Sequence, residues 1–171
     1  MPLPGSKMFV LIEPPTAFVR LVGRAAVEGA PDFKALVQRL DKEGIRQFCL
    51  DLSECKLMDS TFSGVLASLT AELGPHPEHG CARITLVNPN ERVNDLLDNL
   101  GVLPLVNVLT GDGHIRRPND AQEVASVDTP KGEVAACCIL AHRFLMALKP
   151  ENHAKFLELT RVLEQQAVVE P

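Results

Sequence analysis

Apolar residues change period several times along this chain, and each change predicts an element. MFVLI (8–12) and AFVRLVG (17–23) are short runs of β-branched, aromatic and aliphatic residues that predict two strands, with Glu13, Pro14, Pro15 and Thr16 as the turn between them. The spacing then becomes helical. Phe33, Leu36, Val37 and Leu40 fall at i, i+3, i+4 and i+7, which predicts a helix from Pro31 to about Asp41 with one buried face. Gly44 ends it, as a glycine after the last helical turn does. IRQFCLDL (45–52) predicts the next strand, with Ile45, Phe48, Leu50 and Leu52 turned to the core. GVLASLTAELG (64–74) is helical again, with Leu66, Leu69, Thr70 and Leu73 on one side and Gly74–Pro75 as the stop. ARITLVN (82–88) predicts a strand, Pro89 starts a helix carrying Val93, Leu96, Leu97 and Leu100, and LPLVNVL (103–109) predicts a last strand. The order β-β-α-β-α-β-α-β describes an α/β layer, with helices packed on a sheet.

Residues 111–130 change character, with Gly, Asp, Asn, Pro and Arg prominent. The expected organisation is an α/β domain over residues 1–112, a linker over 113–130 and a helical hairpin over 131–171. Thr129 and Pro130 form the expected helix start, N-cap then first turn. Val134, Cys138, Ala141, Leu145 and Leu148 make a stripe at helical spacing; Pro150 breaks that helix, and Phe156, Leu159 and Leu163 mark a second. Such a hairpin buries too little to stand alone, so it must dock on the α/β domain or on another copy. Ile139, Leu140 and Met146 lie off the stripe, so more than one face is apolar. This predicts a two-fold homodimer built partly through the hairpin.

Composition narrows the function. Hydrophobic residues make up 46% of the 171, enough for a substantial core, but aromatics make up 4% with neither Trp nor Tyr, which removes the stacking platforms that single-stranded nucleic acid needs. The formal net charge is -5 and no basic run exceeds Arg116–Arg117, so no duplex-binding footprint is present. The five cysteines are odd in number and form no C-x-x-C. Cys49, inside an apolar run, reads as a buried thiol, and Cys137 and Cys138 as small helical residues. With no leader-like N-terminus and no apolar run near the ~18 residues of a membrane span, a reducing cytoplasm is the expectation.

Candidate chemistry concentrates in LMDSTFSG (57–64), which sets an acid and three hydroxyls around one helix start. Capping alone accounts for much of this, since Asp, Ser and Thr are favoured N-caps worth ~1 kcal/mol each. Together with the opening strand pair, IRQFCLDLS and LVNPNERVNDLLDNLGV, the signature LMDSTFSGVL resembles the STAS family, the anti-sigma factor antagonist fold, over roughly residues 6–112. The resemblance implies a STAS-like sheet packed by helices. Asp59 and Ser60 match the first two positions of the family signature, Thr61 the phosphorylatable hydroxyl with Ser60 as its rival, and Gly64 the glycine. Phe62 departs from it, standing where many members have Gly; it either covers the hydroxyl or contacts a partner. The implied partner-binding set is Asp59, Ser60, Thr61, Phe62 and Gly64, with Asp59 a cap or a kinase contact. The implied role is a bacterial regulatory binding module in transcription control, engaging an anti-sigma factor or a serine/threonine switch kinase and released by phosphorylation. It implies no enzyme, no catalytic residue and no cofactor. The alternatives are an unphosphorylated assembly subunit that dimerises through the hairpin, and a lipid- or nucleotide-binding STAS component of a transport system. Physics favours a switch at this position: a helix N-terminus tolerates phosphate, while the added charge of about -2 disrupts an apolar or acidic partner surface.

Other candidates are weaker. His76, His79 and Cys81 spell H-x-x-H-x-C, but Gly74, Pro75, Pro77 and Gly80 make this an exposed turn without a fourth ligand, so no metal is expected. His142 and His153 are expected to face solvent or cap helix ends. Gly111, Asp112 and Gly113 read as a turn, because no strand–G-x-G-x-x-G–helix unit surrounds them.

Overall fold

The computed structural model describes residues 5–114 and 121–169. Its elements are β1 (Lys7–Glu13), β2 (Thr16–Ala25), α1 (Ala30–Lys42), β3 (Gln47–Asp51), β4 (Cys55–Met58), α2 (Ser60–Leu73), β5 (Ile84–Val87), α3 (Glu91–Asn99), β6 (Asn107–Leu109), β7 (Gln122–Glu123), α4 (Lys131–Leu148) and α5 (Pro150–Val169). The sheet runs β6-β5-β3-β2-β1-β7, with β4 paired to β2. β1 and β2 form an antiparallel hairpin, while β2–β3, β3–β5 and β5–β6 are parallel.

Alternation explains β2: Ala17, Val19 and Leu21 are buried and the residues between them are half-exposed, so one face meets the helices. β2 pairs with β3 through Arg20 and with β4 from Gly23 on, and the register of that second pairing shifts between Gly23 and Arg24. Gly23 sits there at φ 84°, in the region that favours glycine. ITLV of β5 is buried at every position, as expected for a parallel strand covered on both faces. Phe33, Leu36, Val37 and Leu40 all face this core, as their spacing indicates.

Several boundaries differ from expectation. Residues 103–109 are not one strand: Leu103–Leu105 form a 3-10 turn around Pro104, which has no N–H for a ladder, and only Asn107–Leu109 pair with β5. The helix expected from Pro89 begins at Glu91, because Asn90 supplies the cap, its side chain accepting from the Val93 N–H at 2.8 Å. α2 starts at Ser60, four residues before the expected run, for a similar reason given below. β4 was absent from the predicted order, since CKLM is short and carries only a weak alternation. Within the expected linker, Gln122 and Glu123 add an antiparallel edge to β1. Residues 115–120 lie outside the described segments. Pro130, not Thr129, occupies the N-cap of α4, and the Thr129 hydroxyl donates instead to the Val127 carbonyl.

The hairpin docks on its own chain. α4 packs chiefly against α2 and α5 and touches α1. From the predicted stripe, Ala141 and Leu145 are buried and Val134, Cys138 and Leu148 half-buried. α4 and α5 are joined through Lys149 alone, with Pro150 opening α5 where its missing N–H costs nothing. This corner caps α3. Lys149 Nζ donates to the Asn99 carbonyl at 3.0 Å, and the fully buried Asn152 donates from Nδ2 to the carbonyls of Leu100 and Leu145 at 2.9 and 2.8 Å. The last carbonyls of α3, which have no partner within their own helix, thus find donors on the hairpin. Across the outer side, Arg143 Nε donates to Glu164 at 2.9 Å.

Candidate functional site at the start of the second helix

Asp59 builds the helix start. Its Oδ1 accepts from the Phe62 N–H and its Oδ2 from the Val27 N–H, both at 2.8 Å. Its own N–H donates to the Ala25 carbonyl at 3.0 Å. One carboxylate therefore caps α2 and ties that cap to the end of β2. The helix must begin at Ser60, with Ser60, Thr61 and Phe62 in its first turn.

Successive helical residues point about 100° apart, so these three side chains diverge. Phe62 turns inward: it is 2% exposed and its ring stacks on Phe33 with centroids 4.9 Å apart. As placed, it fills the core between α1 and α2 and presents nothing at the surface. Ser60 and Thr61 face α4. The Thr61 hydroxyl lies 3.3 Å from Cys138 Sγ and the residue is 4% exposed; Ser60 is half-buried, with Oγ 2.9 Å from His142 Nε2. Gly64, one turn on, meets Ala141 so closely that a Cβ there would lie 2.5 Å from the Ala141 carbonyl oxygen. Only glycine lets the two backbones approach in this way.

His142 completes the cluster and corrects the expectation that it faces solvent: it is 1% exposed. Its Nδ1 lies 2.7 Å from the Cys138 carbonyl, which can only accept, so Nδ1 carries the proton. The other ring nitrogen, Nε2, is left to share a hydrogen bond with the Ser60 hydroxyl. His142 also packs its ring against Phe156 of α5, with centroids 4.9 Å apart. A sequence signal existed: Cys138, Ala141, His142 and Leu145 fall at i, i+3, i+4 and i+7, so the histidine belongs to the buried stripe. His153 is exposed.

Burial raises the Cys138 thiol pKa above its ordinary value; the hydrogen bond from Thr61 opposes this and the Asp59 charge adds to it. Cys137 is raised by burial as well. The site thus holds protonated thiols and a buried imidazole around two hydroxyls. The Ser60–His142 contact has the form of a nucleophile and base, but the ring is 1% exposed, held between α2 and Phe156 of α5. A cavity of 360 Å³ lies elsewhere, on the Phe62 side, lined in part by Met8, Leu21, Arg24, Glu28 and Asp32. Arg24 is offset there by Glu28 and Asp32, so the cavity offers no net positive charge to an anionic headgroup or nucleotide.

The H-x-x-H-x-C string forms a turn. His76 Nδ1 accepts from the backbone N–H groups of Glu78 and His79, and the two imidazoles stack with centroids 4.6 Å apart. Among the described residues no cluster of three potential metal ligands occurs, and no helix is long and apolar enough to cross a membrane.

Fold and helix start together define a STAS-type domain. The profile of the family described as "Mlab, STAS domain" matches residues 9–107, more than half of the chain, and the chain belongs to that STAS family. Among solved structures, it is similar to the anti-sigma factor antagonist SpoIIAA in its unphosphorylated form. That similarity is 19% in sequence identity with a TM-score of 0.51, over 61% of this chain and 88% of that one. It is also similar to TM1081 from Thermotoga maritima, at 22% identity and a TM-score of 0.50, over 59% of this chain and 78% of that one. At these identities the likeness is one of fold. No curated protein matches.

Proposed function

We propose that this chain is a bacterial regulatory protein-binding module, anti-sigma factor antagonist-like. Its partner surface centres on the start of α2 and is switched by phosphorylation of Thr61. The observation that carries this reading is the Asp59-capped helix start, which holds two hydroxyls rigidly on the side of α2 that another helix covers. A phosphate there gains from the partial positive charge of the helix N-terminus, while its charge of about -2 is not tolerated by an apolar partner surface. The partner is an anti-sigma factor or a serine/threonine switch kinase, and the setting is the cytoplasm. In a cell extract supplied with ATP, one phosphate is expected on Thr61, mapped by mass spectrometry, and Thr61→Ala abolishes it. Phosphate on another residue, or normal labelling of Thr61→Ala, overturns the assignment.

A second reading is an assembly subunit that is never phosphorylated and dimerises through the hairpin. The 4% exposure of Thr61 favours it, as do Leu140, Leu159 and Val162, which stay exposed on α4 and α5 after docking. It requires that the same extract leave Thr61 unlabelled and that light scattering find a dimer.

A further inference from the structure

We propose that the α4–α5 hairpin is a built-in competitor for the α2 surface, so that a partner reaches the helix start only when the hairpin is displaced. Three observations lead there. First, α2 is buried on both sides: Phe62 meets Phe33 on the core side, and Ser60, Thr61 and Gly64 meet His142, Cys138 and Ala141 on the other. A helix whose first turns, Thr61 to Ala67, are buried all round needs two neighbours there. The outer neighbour comes from a part of the chain that contributes no strand to the sheet.

Second, the two sides differ in chemistry. The inner contact is between large aromatic rings. The outer one is a close backbone crossing flanked by a hydroxyl–imidazole and a hydroxyl–thiol contact, with the apolar Leu145 and Phe156 of the hairpin buried beside it. Water replaces the two polar contacts when they open, and a mixed polar and apolar contact of this kind is the character of interfaces that separate. Third, residues 124–130, which lead into α4, belong to no helix or strand and are mostly exposed, so the hairpin can leave without disturbing the sheet. The Lys149 and Asn152 bonds at the corner hold the docked state in place.

A partner that takes the hairpin's place is a helix with a small residue over Gly64 and hydrogen-bonding side chains over Ser60 and Thr61. One part of the inference rests on the proposed phosphosite. With Cys138 Sγ 3.3 Å from the Thr61 hydroxyl, a phosphoryl group has no room under α4, and Asp59 adds like charge beside it. Phosphate at Thr61 and hairpin docking then exclude each other.

The chain carries its own reporters. Cys81 is exposed, Cys55 is buried in the α/β domain, Cys137 is buried on α4 and Cys138 half-buried beside it. The full-length protein is alkylated with N-ethylmaleimide and each cysteine is timed by peptide mass spectrometry. In the wild type, Cys81 reacts first and Cys137 and Cys138 lag. In Thr61→Glu, and in Ala141→Arg, which overfills the crossing from the hairpin side, Cys137 and Cys138 react at least about tenfold faster while Cys55 stays protected, as local opening requires. Unchanged Cys137 and Cys138 rates in Ala141→Arg overturn the proposal, as does Cys55 deprotecting in step with them. If Thr61→Glu fails to fold, Cys55 reports it and Ala141→Arg decides alone. No kinase enters this assay. A hairpin that opens in a chain never phosphorylated on Thr61 sinks the phosphosite and leaves the competitor standing; the converse result does the opposite.

Discussion

Phe62→Ala lowers the stability of the chain by about 3–5 kcal/mol, read as a drop in the denaturation midpoint at unchanged slope. Phe62 stands where many STAS signatures have glycine, and a surface aromatic there would be lost at little cost. Its ring is instead 2% exposed and stacks on Phe33 of α1. Truncation removes that contact and leaves a cavity between α1 and α2, because Asp59 fixes the start of α2 and prevents the helix from settling inward. Phe62→Leu keeps much of the volume and costs about a third as much, in line with hydrophobic swaps that conserve size. A Phe62→Ala midpoint within error of the wild type would place the ring outside the core and return it to the partner surface.

Arg83→Ala costs a similar amount, about 3–5 kcal/mol, through buried polar groups rather than lost volume. Arg83 is 5% exposed just before β5. Its Nε donates to the Arg46 carbonyl at 2.8 Å, Nη1 to Leu73 at 3.0 Å, and Nη2 to Ile45 at 2.8 Å and to the Asp41 carboxylate at 2.6 Å. One guanidinium thus gathers the ends of α1 and α2 and the approach to β3. Asp41 is 35% exposed, so solvent recovers most of its share, and the larger loss comes from the carbonyls left without a donor. Arg83→Lys restores little, because an ammonium on a flexible stem cannot reproduce the fork. Equal stability of the Lys variant and the wild type would show that charge alone matters here.

The sheet and the helix faces were largely legible because burial on one side leaves a period: Phe33, Leu36, Val37 and Leu40 could be read directly. β4 and β7 were not, because four and two residues carry too little pattern, and each exists through its pairing with β2 or β1. The motif LMDSTFSG located the helix start, but which side each residue faces depends on the Asp59 cap, whose bond to Val27 spans 32 positions. Arg83 gave no signal at all, since its partners are backbone carbonyls, which every residue type offers, and one carboxylate, Asp41, 42 positions away. The hairpin was legible as helices and as something that must dock. Its target was not: the small-residue crossing of Gly64 and Ala141 leaves no periodicity that links two segments so far apart.

The claim on which the rest depends is that α4 lies over Thr61 in the same chain. Thr61→Cys places a second thiol where the Thr61 hydroxyl now sits, 3.3 Å from Cys138 Sγ, and pairs that close can bridge under mild oxidation. Peptide mapping of the oxidised protein should find position 61 linked to Cys138 rather than to its neighbour Cys137, in a species that runs as a single chain without reductant. A bridge that joins two chains, or a thiol at position 61 that remains free under oxidation, would contradict the account.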